Sequence, residues 1–188
     1  MANGTLKVSN IETSSGSGTI TIGQSGETIN IPSGCTITNS GTQTGFGGTN
    51  TPNFHAFLGS SQDIANNTTT TVVFNTETYD SASAYDASTG IFTVPSGQAG
   101  KYFIAASIKQ TSATDYDNFQ CRITVNSKSI TSVNSNFNQN TVNSSTVYNL
   151  SVGDTVKVQT YQNSGSTKAA AGNASEDLSW FTMFKIIE

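Results

Sequence analysis

Charge is scarce in this sequence. Only 11% of its 188 residues are Asp, Glu, Lys or Arg, the net charge is −4, and Arg122 is the single arginine. A chain so sparsely and so negatively charged offers no basic surface for a nucleic-acid backbone or an anionic membrane. Histidine and cysteine are scarce too: His55 stands alone, and Cys35 and Cys121 lie far apart. Two cysteines do not make the disulfide framework of a small secreted domain. One histidine gives neither a zinc-ligand pattern nor a base for an activated nucleophile. The expectation is a non-enzymatic protein without a cofactor, its two thiols buried and chemically silent. The longest apolar run, Tyr102 to Ala106, is far too short to cross a bilayer, so no membrane insertion is expected. Met1-Ala2-Asn3-Gly4 has neither the basic start nor the apolar run of a secretory signal, which leads to the expectation of synthesis in a cytoplasm.

Apolar residues make up 34% of the chain, a low share, and Ser, Thr, Asn and Gly fill the difference. This is not the charged, proline-rich composition of disorder; it suits β-structure with an uncharged polar surface. Short runs of β-branched and aromatic residues recur between turn signals, and nothing reads as a helix. Val72-Val73-Phe74, Ile91-Phe92-Thr93-Val94 and Tyr102 to Ile108 are three strands, with Thr89-Gly90 turning into the second and Pro95 closing it. Phe119 to Val125 alternates cleanly, with Phe119, Cys121, Ile123 and Val125 on one face. Ile130 to Val133, Val142 to Leu150, Val156 to Tyr161 and Trp180 to Ile187 follow. Many short strands ending in an aromatic one indicate an all-β jelly-roll sandwich. The core candidates are Phe74, Phe92, Phe103, Trp180 and Phe184. Tyr79, Tyr85 and Tyr102 fit either a core or a packing surface.

The order VVFNTE…YD…YDASTGIFTVP…AGKYFIAA over residues 72–106 resembles the C1q/tumour-necrosis-factor-like domain. Leu150-Ser151-Val152-Gly153-Asp154-Thr155-Val156 resembles that family's L-x-x-G-D-x-V strand entry, and Ser179 to Ile186 its final strand. Phe54 to Leu58 resembles its first strand. The resemblance spans residues ~53–188 and implies an antiparallel jelly roll that assembles as a homotrimer, with Phe74, Phe92, Tyr102, Phe103, Trp180 and Phe184 in core or trimer packing.

Three regions are expected: residues 1–40, a linker at 41–53, and a jelly-roll head at 54–188. In the first, Ile20 and Ile22, Ile29 and Ile31, and then Ile37 alternate with Thr or Asn, each pair repeating after nine residues. Gly23 to Gly26 and Pro32 to Gly34 mark turns between them. Stacked rungs of a β-stalk, or a simple meander, would look like this. So few apolar side chains cannot order such a stretch as an isolated monomer, so its isoleucines are expected to pack around an axis shared by three copies. Gly45-Phe46-Gly47-Gly48 has no following Lys-Ser/Thr and no helix, so it reads as a hinge with a Phe46 anchor, not a phosphate loop.

Few residues bear chemistry. Asp115 and Asp117, in Asp115-Tyr116-Asp117-Asn118, are the weak candidates for calcium, lacking the glycine and distal glutamate of a dedicated loop. Asp80 and Asp86 suit turn hydrogen bonds. Glu176-Asp177 before the last strand suits edge protection. Asn-x-Ser/Thr triplets at Asn67, Asn143 and Asn173 arise by composition alone. The functional expectation is a homotrimeric fibre- or spike-type structural protein on a bacteriophage virion surface. Its N-terminal region would attach to other virion proteins. Its C1q-like head would meet a host cell-surface glycan or protein through the polar loops 60–71, 111–118, 134–146 and 163–177. The alternatives are a capsid decoration or adaptor protein and, third, a secreted C1q-like lectin.

Overall fold

The computed structural model describes residues 8–14, 18–38, 40, 50–111, 118–135 and 140–186. The chain divides into two units, Met1–Thr44 and Gly45–Glu188.

In the C-terminal unit thirteen strands form among the described residues: β1 (Asn53–Phe57), β2 (Ser60–Ile64), β3 (Thr70–Thr71), β4 (Thr76–Asp80), β5 (Tyr85–Asp86), β6 (Ile91–Thr93), β7 (Gly100–Lys109), β8 (Phe119–Val125), β9 (Lys128–Ser135), β10 (Thr141–Leu150), β11 (Thr155–Gln162), β12 (Lys168–Asn173) and β13 (Trp180–Lys185). One sheet runs β10-β7-β13-β1-β4, a second β5-β6-β11-β8-β9 with β3 paired to β11, and β12-β2 forms a small third sheet. Neighbouring strands pair antiparallel. The chain crosses between the two larger sheets at β6–β7, β7–β8, β9–β10 and β10–β11, and the long strands β7, β8, β10 and β11 bury one face between the layers, as in a jelly roll.

The period-2 pattern explains the core. Tyr102, Ile104, Ala106 and Ile108 of β7 point inward, as do Phe119, Cys121, Ile123 and Val125 of β8 and Val156 and Val158 of β11. Phe54 is the hub: its ring stacks on Tyr85 at 4.7 Å and Phe92 at 5.2 Å and meets Phe181 edge-on at 4.9 Å. The Tyr85 hydroxyl donates to the Phe74 carbonyl at 3.0 Å, which satisfies its polar end inside the core. Burial pushes the Tyr85 phenol well above its ordinary range, and Tyr102 and the Cys121 thiol up to about 12.

Turn chemistry fixes the loops. The Asp80 carboxylate accepts from the backbone N–H of Ala82 (3.1 Å) and Tyr85 (2.8 Å). Asp86 accepts from the Ser88 N–H (2.8 Å) and hydroxyl (2.6 Å) and the Thr89 hydroxyl (2.9 Å). The Ser88 hydroxyl is the largest of the influences that hold Asp86 below the usual carboxylate range. Asp154 accepts from Asn126 Nδ2 (3.0 Å) and the Ser151 N–H (2.9 Å), bracing the β10–β11 turn, and the Asn126 bond lowers its pKa first.

Several expectations change. Val72 and Phe74 are fully buried but lie beyond the short strand β3; Val72 donates to the Val158 carbonyl at 2.9 Å. The polar excursion after them contains β4, which pairs with β1. Two of the expected recognition loops are partly strands, because β2 and β12 pair with each other inside 60–71 and 163–177. The 134–146 stretch likewise holds the end of β9 and the start of β10. Phe46, Phe137, Asp115, Asp117 and Ile187 lie outside the described residues.

The N-terminal unit differs from the stalk of strands read from its sequence. Its described residues form no strand in the single chain. Ile20, Ile22, Ile29, Ile31 and Ile37 are 43%, 63%, 58%, 47% and 58% exposed. The two expected turns do form, with backbone bonds from Glu27 to Gln24 (3.0 Å) and from Cys35 to Pro32 (3.1 Å). Among the described residues no second apolar layer closes over these side chains, which stand about half exposed. Cys35, expected to be buried, is exposed here.

Candidate functional site

The five-stranded sheet has an unusual outer face. Strand alternation puts Phe103, Ala105 and Ser107 of β7 on this face with Trp180, Thr182 and Phe184 of β13 and Asn53, His55 and Phe57 of β1, of which Ala105, Ser107 and Phe57 are themselves buried. The register assembles these into rows. Val147 of β10 lies opposite Phe103, which lies opposite Phe184. Ala105, Thr182, His55 and Tyr79 form the next row, and Ser107, Trp180 and Phe57 the third.

Ring contacts tie the rows together. Phe103 and Phe184 sit 5.2 Å apart between centroids, and His55 lies 6.2 Å from Tyr79 and 6.0 Å from Trp180. Phe103, Trp180 and Phe184 are half-buried, while Tyr79 is 50% and Val147 52% exposed. His55 Nε2 lies 3.0 Å from Asp177 Oδ2. Asp177 therefore does not guard a sheet edge, since β13 is the central strand of its sheet; its carboxylate instead meets the one histidine.

The outer face of the six-stranded sheet is built differently. There Gln120 and Arg122 of β8 and Lys157, Gln159 and Tyr161 of β11 alternate outward. Arg122 Nη2 donates to Gln120 Oε1 at 2.8 Å, and the Thr124 hydroxyl to Gln159 Oε1 at 3.0 Å. That surface satisfies itself with polar contacts. One sheet thus has an aromatic, incompletely covered outer face and the other a polar one.

Of the residues singled out from sequence, Phe74, Phe92 and Tyr102 stand in the core, and Phe103, Trp180 and Phe184 come together on this outer face. Tyr85 belongs to the core and Tyr79 to the face. His55, Phe57 and Val147 are additions, and the signal for them was cross-strand register. Among the described residues no group of three or more His, Cys, Asp or Glu could hold a metal ion.

A two-layer antiparallel jelly roll with one apolar outer sheet face defines the class: a β-sandwich module. The chain belongs to the C1q domain family, whose model matches residues 54–185. The globular domain of zebrafish complement 1qA protein superposes with a TM-score of 0.51 at 19% identity, over 72% of this chain and 97% of that one. Murine APRIL at pH 5.0 gives a TM-score of 0.54 at 13% identity, over 71% and 98%. The PRD1 vertex protein P5 gives 0.54 at 16% identity, over 71% and 94%. At such identities the likeness is one of fold. No curated protein matches the sequence.

Proposed function

We propose that this is a homotrimeric, non-enzymatic structural protein of a bacteriophage virion, of fibre or spike type. The outer face of the five-stranded sheet forms the trimer contact, and the C1q-like unit is displayed toward the host cell surface. The observation that carries the assembly is the aromatic face built by Phe103, Phe184, Trp180 and Tyr79, since C1q/TNF-like domains generally form homotrimers. The fold likeness to a PRD1 vertex protein supports the virion setting. So does a surface that is polar through Ser, Thr and Asn and not through charge. The N-terminal unit attaches to other virion proteins, and three copies of the C-terminal loops give weak contacts to a cell-surface glycan or protein the gain of multivalency.

Antibodies against the C-terminal unit, applied to purified particles, test this. Labelling of virions in electron micrographs together with blocked adsorption to host cells is the expected result. Labelling without blocking would make the protein a decoration or adaptor, and absence from particles would refute the virion role.

A further inference from the structure

Residues 18–38 present an apolar row that the single chain leaves open. Ile20 and Ile22, Ile29 and Ile31, and Cys35 and Ile37 each stand two residues apart, the spacing that puts both side chains of a pair on one side once the segment pairs as a strand. Between them the chain turns at Gly23, Gly26 and Gly34, whose φ values of 82°, 88° and 86° suit glycine. The two turn bonds already described are the backbone pairing of this stretch among the described residues, so its remaining backbone donors and acceptors are open to pairing with another chain.

We propose that residues 18–38 pack against the same segment of two other copies, isoleucines facing a common axis and backbone edges pairing from chain to chain. Three features select a copy of this chain over a foreign partner. Glu27 is the one charged residue in the stretch, and its carboxylate is engaged by the Gln24 N–H at 2.6 Å. Identical copies therefore bring a single like charge each, and a partner chosen by charge finds little to read. Alternating Ile and Thr, repeated after nine residues, is self-complementary: the same row meets the same row. The trimer proposed for the C-terminal unit, on which this inference rests, also tethers three copies through a short linker at high effective concentration.

The geometry gives a direct reporter. Cys35 stands two residues before Ile37, on its side once the segment pairs as a strand, and is exposed, while Cys121 is buried in the other unit. Packed rows bring three Cys35 thiols to one axis, within reach of a short three-armed maleimide. The full chain is measured by light scattering and crosslinked in the same sample, beside Cys35→Ser and the double variant Ile29→Asn/Ile31→Asn. The expected result is a trimer mass, a covalent trimer on denaturing gels, and none in Cys35→Ser. In the double variant the crosslinking rate falls about tenfold or more at unchanged trimer mass, because tethered but unpacked segments meet only by chance. A trimer mass without covalent trimer, or with a rate untouched by the double substitution, overturns the inference and leaves the C-terminal trimer standing. A monomer mass overturns both.

Discussion

Val147→Asp separates the fold from its assembly. Val147 is 52% exposed on β10, opposite Phe103, so the isolated unit loses little when the side chain changes, about 0.5 kcal/mol as for other surface positions. In a trimer closed through this face the same change is severe. Half of a valine's burial, roughly 1 kcal/mol per copy, is forfeited. A carboxylate stranded against aromatic rings adds about 3 kcal/mol or more per copy. Over three copies the assembly loses on the order of 12 kcal/mol, or about nine powers of ten in its dissociation constant. That constant scales with the square of concentration, so the midpoint moves by a little over four decades. In light scattering the wild type should run at three times, and the variant at one times, the 19.7 kDa chain mass. Far-UV circular dichroism and protection of the Cys121 thiol should stay native in both. A variant that remains trimeric would show that this face is not the contact, and a wild type already at single-chain mass would remove the trimer itself.

Three further outcomes follow from the same structure. A thiol reagent should titrate one cysteine in the native chain, the exposed Cys35, and two after denaturation, because Cys121 is buried with its pKa raised to about 12; rapid reaction of both would mean β8 opens readily. Tyr102 and Cys121, both raised to about 12, and Tyr85, raised further, contribute stability that is complete below their ordinary values of 10.0 and 9.0 and is lost as pH rises toward the folded values. Asp86 and Asp154, held below 3.8, contribute above that value and lose it as pH falls. The melting temperature should therefore be level between roughly pH 5 and 9 and fall beyond, and a flat profile through the alkaline window would refute the burial of these groups. Gly90→Ala should destabilise the C-terminal unit by about 3 kcal/mol, on the order of 10 °C in melting temperature, because φ is +75° and a Cβ would stand 2.6 Å from the Val72 carbonyl oxygen; a wild-type melting curve would contradict that approach.

Alternation made the buried face of β8 legible, since Phe119, Cys121, Ile123 and Val125 announce themselves at period two. The same rule failed where strands carry little apolar content. Ser60-Ser61-Gln62-Asp63 of β2 and Thr76-Glu77-Thr78 of β4 are strands because their backbones complete ladders begun by β12 and β1, a constraint that tertiary pairing supplies and local propensity does not. The aromatic residues failed more instructively. Phe103, Trp180 and Phe184 carry as strong a core signal as Phe92, yet each stands out of phase with the buried residues of its own strand: Phe103 between Tyr102 and Ile104, Phe184 beside Met183. Both phases of β7 and β13 are apolar, which in an antiparallel sheet with one wet face is a contradiction. It disappears if the second face is dry as well. The five-stranded sheet thus carries two apolar layers, one covered by its own fold and one that the proposed trimer would cover, and only the cross-strand register that lines Val147, Phe103 and Phe184 into a row tells them apart.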